Sequence, residues 1–237
     1  ESLREQVGMM STVTLEPGIL RSNRLYPALQ LEGAKVAYRI LRTQVLQRLQ
    51  HKGWNTVAVT SAGDGEGKTL TAVNLAMSLA QEVNHTVLLA DLDLRHPAVH
   101  KALGLEPQIG VSDIMLNGAS VGETLVNPGI ERLVVLPGRE PIVASSEMLS
   151  SPAMVRLVED LKTRYPKRIV LFDLPPVLSA DDALAFSPYV DCVLLVVEDG
   201  ATTQAQLRQT LDYLGGTNLL GTVLNKAEEA PTAAYGY

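Results

Sequence analysis

The chain has 237 residues, 46% of them hydrophobic and 19% charged, with a net charge of −6. That composition excludes a disordered chain and allows one α/β domain with short appendages, while the acidic balance argues against nucleic acid as the main partner. A single cysteine, Cys192, excludes a disulfide framework and any cysteine metal site.

Residues 1–30 show no clean hydrophobic period and contain Pro17, Gly18 and Pro27, which predicts a partly ordered N-terminal extension. From Glu32 to about Gln50, Ala34, Ala37, Tyr38, Leu41, Val45 and Leu49 recur at helical spacing. Lys35, Arg39 and Arg42 share another face of that helix, and Gly53 ends it. An apolar strand, Thr56 to Thr60, leads into a glycine-rich loop. The helix that follows, from Lys68 to about Val83, is apolar nearly all round and is therefore expected to be buried. Further apolar runs fall at Thr86 to Ala90, Leu133 to Leu136, Arg168 to Phe172, Cys192 to Val197 and Leu220 to Leu224. Such continuous Val/Ile/Leu runs indicate strands covered on both faces of a parallel sheet. Cys192 reads as a small buried hydrophobe. Between the strands, Ser151 and Pro152 open one helix, and another carrying Leu207, Leu211 and Leu214 stops at Gly215 and Gly216. The pattern predicts a doubly wound, mostly parallel α/β sheet of the P-loop NTPase type flanked by helices, over residues 31–226. Residues 227–237, rich in Ala, Glu, Pro and Gly, form a flexible tail.

The chemistry concentrates at strand ends. Gly63, Asp64, Gly65, Glu66, Gly67, Lys68, Thr69 and Leu70 form a Walker A loop, with Ala62 where the strict pattern has glycine. Its glycines let backbone N–H groups turn toward a phosphate, and the following helix adds its free amides and positive dipole end. Lys68 is placed to reach the β- and γ-phosphates of ATP or ADP, and the Thr69 hydroxyl to hold Mg²⁺. Asp91-Leu92-Asp93-Leu94-Arg95 follows directly on one strand, and Asp173-Leu174-Pro175-Pro176 breaks off another. A carboxylate closing a hydrophobic strand is a Walker B arrangement. Asn225 ends the last strand on the same rim, with an amide suited to an adenine edge.

This order of motifs resembles the bacterial tyrosine kinases of capsule and exopolysaccharide synthesis, over about residues 31–237. The Asp-x-Asp-Leu-Arg run, called Walker A′ in that family, is the specific mark. The resemblance implies that Lys68, Asp91 and Asp93 act in catalysis, that Thr69, Asp91 and Asp173 hold the metal, and that C-terminal tyrosines, here Tyr235 and Tyr237, accept the phosphate. The related ATPases of chromosome partition and division-site placement carry a second lysine five residues before the Walker lysine; here that position is Gly63. The family's pre-P-loop helix reads Glu-x-x-Arg-x-x-Arg. Arg39 and Arg42 match it and Val36 does not, so the expectation is weak self-association. Only Tyr235 and Tyr237 remain of the usual tyrosine cluster, and His96 stands where a second arginine is common.

A tyrosine phenol ionises near pH 10, so deprotonating it at pH 7 costs about 4 kcal/mol, a cost that an aspartate beside the metal site would offset. The sequence-based expectation is therefore an ATP- and Mg²⁺-dependent tyrosine autokinase controlling polysaccharide polymerisation and export. A membrane polysaccharide co-polymerase is the implied activator, with a protein-tyrosine phosphatase as a further partner. The alternatives are a non-kinase ATPase switch acting at a membrane partner, or a pseudo-enzyme that binds nucleotide as a structural ligand. No run reaches the ~18 apolar residues that span a bilayer and no signal peptide is visible. The expected place is the cytoplasm, at the inner face of the plasma membrane. Residue 1 is glutamate, which leaves room for a membrane segment outside this sequence.

Overall fold

The apolar runs become a single eight-stranded sheet in the computed structural model, which describes residues 11–26, 28–29, 32–165 and 167–227. The strands are β1 (Ser11–Thr12), β2 (Thr56–Ser61), β3 (Thr86–Asp91), β4 (Val126–Asn127), β5 (Leu133–Leu136), β6 (Arg168–Asp173), β7 (Cys192–Glu198) and β8 (Leu219–Asn225). Between them run α1 (Pro17–Ser22), α2 (Glu32–Lys52), α3 (Lys68–Leu79), α4 (Val99–Leu103) and α5 (Val111–Asn117), then α6 (Val121–Thr124), α7 (Ser145–Leu149), α8 (Pro152–Thr163), α9 (Asp182–Phe186) and α10 (Gln204–Tyr213). The sheet order is β1-β4-β5-β3-β6-β2-β7-β8, parallel throughout except for the β4–β5 pair. This is the expected doubly wound class. Only β1 and β4 carried no sequence signal, because two residues cannot display a period.

Side chains alternate across the sheet and feed two cores. Val57, Val59, Val87, Leu89 and Leu171 point to the side covered by α2 and α3, where Val45, Leu49 and Leu79 meet them. Ala58, Leu88, Val170, Phe172 and Leu195 point to the other side, against Met154, Leu157 and Phe186. α3 is buried from Thr71 to Leu79, as its all-round apolar character requires. At the start of α8 the Ser151 hydroxyl accepts a hydrogen bond from the Met154 amide at 3.2 Å, and Pro152 fills the first turn. Burial pushes the Cys192 thiol up to about 12, with Asp191 adding to the rise, in keeping with an inert packing residue.

Residues 11–26 are more regular than their lack of period suggests. β1 adds to β4, α1 follows, and Leu15 and Leu25 enter the core. The Tyr26 amide donates to Asn74 Oδ1 at 2.6 Å, and Asn23 donates to the Ala102 carbonyl at 2.8 Å. A two-residue strand followed by a short helix hides its apolar spacing. The predicted tail lies outside the described residues from position 228 onward. No helix of the described residues is long and apolar enough to cross a membrane.

Asp191 pins the entry to the adjacent strands β2 and β7. Its carboxylate accepts from the Asn55 and Thr56 amides at 2.9 and 3.0 Å and from Lys162 Nζ at 2.5 Å. Burial raises its pKa, but Lys162 and the amides outweigh burial and hold the carboxyl below its ordinary value. A depressed pKa contributes stability above the unfolded value of about 3.9, lost as pH falls through the folded one. Asp191→Asn is therefore expected to cost about 1–3 kcal/mol at pH 7. In urea titrations the gap to wild type should close as the pH drops below about 4.

Candidate active site

The P-loop lies where β2 delivers Ser61 to the carboxyl rim of the sheet. Gly65 and Gly67 take φ of 77° and 89°, values that a side chain would strain. A Cβ on Gly67 would also overlap the Asn225 amide, so that position is fixed twice. α3 opens at Lys68 without a side-chain cap, which leaves its first amides and the dipole end for an anion.

Three long-range bonds strap the loop. Buried Glu66 accepts from the Ala62 amide at 2.9 Å through one oxygen and from the Thr202 hydroxyl at 2.6 Å through the other. Its backbone carbonyl accepts from Asn225 Nδ2 at 2.8 Å. Ser179 donates to Asp64 at 2.9 Å. Asn225, expected at an adenine edge, thus commits one N–H to the loop and keeps its carbonyl oxygen and other N–H. The roles of Thr202 and Ser179 carried no sequence signal, since their partners lie 136 and 115 positions away.

The acidic motifs converge on the same loop. Register places Asp91 directly opposite Asp173 on adjacent strands, with Asp173 also opposite Val59 of β2. Lys68 Nζ donates to Asp93 Oδ2 at 2.7 Å and lies 3.8 Å from Asp173 Oδ1, while the Thr69 hydroxyl donates to Asp173 Oδ2 at 2.6 Å. Asp91 Oδ2 accepts from the Ala98 and Val99 amides, each at 2.9 Å, and Asp93 Oδ1 from the His96 amide at 3.0 Å. Arg95 holds this loop from outside by binding buried Asp182 at 3.0 Å. Lys68, Thr69, Asp91, Asp93 and Asp173 therefore meet in one place. Asp64 stays at the loop's outer side, and Leu70 packs partly buried against the core beside α2.

Burial and the nearby Asp173 push the Asp91 carboxyl up to about 8, against the opposing pull of the Val99 amide and Lys68. Burial likewise raises Asp173 despite Lys68 and Thr69. Burial pulls Lys68 down, but the Asp173 and Asp93 carboxylates outweigh it, so the ammonium stays charged. The buried Oδ1 atoms of Asp91 and Asp173 have no hydrogen-bond partner among the described residues. Two unsatisfied carboxylate oxygens beside a threonine hydroxyl form a hard-oxygen donor set that suits Mg²⁺. No trio of acidic, histidine or cysteine side chains stands at metal-ligand spacing among the described residues.

The basic stripe on α2 is divided. Lys35 pairs with Glu32 at 3.2 Å, and Arg42 turns inward to Glu82 and the Ser78 carbonyl, each at 3.2 Å. Arg39 remains exposed beside Val36 and Ile40. Helical spacing aligned the three residues but could not reveal that the end of α3 intercepts Arg42. Tyr235 and Tyr237 lie outside the described residues.

Residues 57–235 match the family described as the CobQ/CobB/MinD/ParA nucleotide binding domain. The tyrosine-protein kinase YwqD of Bacillus subtilis (strain 168) is 33% identical over 202 residues, covering 84% of each chain. The putative tyrosine-protein kinase EpsB of Ralstonia solanacearum is 32% identical over 207 residues; the match takes in 85% of this chain but only 26% of EpsB. Among solved structures, the VpsO kinase domain is 31% identical with a TM-score of 0.74, covering 85% of this chain and 99% of that one.

The cluster makes Lys68 structurally necessary before any ligand arrives. Removing one partner of a buried ionic group strands the others, so Lys68→Met should destabilise the fold by about 3–5 kcal/mol. Chemical denaturation in magnesium-free buffer measures this, and an unchanged midpoint would show that the three carboxylates do not depend on Lys68.

Proposed function

The chain belongs to the CobQ/CobB/MinD/ParA nucleotide-binding family, and within it to the bacterial tyrosine kinases of capsule and exopolysaccharide synthesis; on that premise we propose that it transfers the γ-phosphoryl group of ATP to tyrosines of its own C-terminal tail. The observation that carries this reading is the meeting of Lys68, Thr69, Asp91, Asp93 and Asp173 at the uncapped start of α3. The loop amides and the helix end hold the β-phosphate. Thr69, Asp173 and Asp91 would hold Mg²⁺, which would supply positive charge against the phosphates.

Lys68 supplies the moving part. An arriving phosphate competes with Asp93 for the lysine nitrogen, and the exchange releases the Asp93 carboxylate. Asp93 then accepts the phenol proton as the tyrosine oxygen bonds to the γ-phosphorus and the bond to the β-phosphate oxygen breaks, leaving ADP. Asp91, held by the Ala98 and Val99 amides, sets the position of this loop, and its free oxygen would serve the metal. Asn225 borders the loop and is the proposed adenine contact. The acceptors are Tyr235 and Tyr237, delivered by a neighbouring copy through concentration-dependent association at the Arg39 face. A membrane co-polymerase as activator at the inner face of the plasma membrane, and a phosphatase that reverses the modification, complete the proposed system.

Incubation with ATP and magnesium, followed by mass spectrometry, should place phosphate on the tail, and Tyr235→Phe with Tyr237→Phe should remove it. Asp93→Asn or Asp91→Asn should slow transfer by ~10²-fold or more, in line with a lost general base, while changing nucleotide affinity little. Lys68→Ala should abolish calorimetric binding of ATP. Steady ATP hydrolysis without phosphotyrosine would instead favour a nucleotide-driven assembly switch.

A further inference from the structure

A cavity of about 380 Å³ opens at the amino-terminal edge of the sheet, where β2, β3 and β6 begin. The P-loop lies at the other end of β2, a six-residue strand and so roughly 20 Å away. Its lining includes the apolar Leu46, Leu49, Trp54 and Ile169 and the basic Lys167 and Arg168.

Arg168 is the unexplained group. The residue is 2% exposed, yet its Nε has no hydrogen-bond partner among the described residues. Its guanidinium lies 3.9 Å from the Tyr165 ring centroid, which covers a face and leaves the N–H edge unused. Burial holds its pKa below the ordinary arginine value; Tyr165 opposes this, Arg164 adds to it, and no carboxylate is among the contributing groups. Thr86, opposite it in the β3–β6 ladder, is neutral. The nearby cations are already matched, Lys162 by Asp191 and Arg164 by Asp160. A buried charge without a counter-charge costs several kcal/mol. A chain with six more acidic than basic side chains had acids to place here, and none stands against this guanidinium.

We propose that this cavity binds a small phosphorylated molecule, its phosphate held by Arg168 and Lys167 and its apolar or planar body lying on Leu46, Trp54 and Ile169. Two cations call for a dianion, and a guanidinium edge fits phosphate oxygens in pairs. The volume lies within the range of small-molecule sites. The site is separate from the nucleotide loop and does not depend on phosphotransfer.

Trp54 is the only tryptophan of the chain, so its fluorescence reports occupancy directly. Phenyl phosphate, inorganic phosphate and phenol are titrated into wild type and into Lys167→Ala and Arg168→Gln. Phenyl phosphate should give a saturable change in wild type. Its Kd should rise ~10-fold in Lys167→Ala and the change should vanish in Arg168→Gln, while phenol gives none. Inorganic phosphate should bind more weakly than phenyl phosphate, for want of a body on the apolar lining. Phenyl phosphate should also raise the melting temperature of wild type but not that of Arg168→Gln. The proposal is overturned by either of two results: no saturable change up to about 10 mM, or an unaltered Kd in Lys167→Ala. The exposed Lys167 keeps the test decisive if Arg168→Gln fails to fold.

Discussion

A single ammonium group among three buried carboxylates is the constraint around which the molecule is arranged. The sheet register sets Asp91 beside Asp173, and the next loop brings Asp93 back onto Lys68. Like charges at this depth repel strongly and pay for lost hydration, so the cluster persists because Lys68 stands within it, backbone amides satisfy outer oxygens, and the Asp91 carboxyl, pushed up to about 8, keeps its proton. The same arrangement is poised for exchange. A phosphate at the loop offers Lys68 a second anion, and a metal offers Asp91 and Asp173 a second cation. The metal relieves the carboxylate repulsion, and the phosphate takes Lys68 in exchange for Asp93.

The P-loop shows how such a site is kept open without strain across the whole fold. Its conformation is not left to the glycines alone. Glu66 reaches back to the Ala62 amide and sideways to Thr202, and Asn225 closes over Gly67. Neighbouring strands β7 and β8 thereby brace a loop that grows from β2. The loop backbone is already braced, so binding costs little further ordering of it.

What could be read from the sequence divides along the same physical line. The six long strands were legible as apolar runs, and the motif residues because each closes such a run; the expectation that all are covered on both faces fails for β8, the edge strand, where Leu219 and Leu224 are exposed. Gly65 and Gly67 were legible because only glycine accepts their backbone angles cheaply. The braces were not legible: Thr202 and Asn225 look like ordinary loop and strand-end residues until the fold carries them to Glu66, 136 and 159 positions away. Arg42 misled for a related reason. Periodicity assigns a residue to a helix face but says nothing of what lies over that face, and here Glu82 lies over it. α1 and β1 fall below the length at which a period can be measured.

β6 draws these lines together. It begins with buried Arg168 and ends with buried Asp173, and the four residues between them are Ile, Val, Leu and Phe. Both charged ends are expensive in a covered central strand, so neither is explained by packing. They do, however, forbid slippage. A shift of one residue would turn Ile169 and Leu171 to the other core and carry Asp173 away from Thr69 and Lys68. The strand therefore has one admissible position, which is what a site built on sub-ångström placement of a carboxylate requires. The opposed charges also give this strand two chemically different ends, Asp173 at the rim of the P-loop and Arg168 at the opposite edge. One rigid strand, six residues long, holds both at a fixed separation.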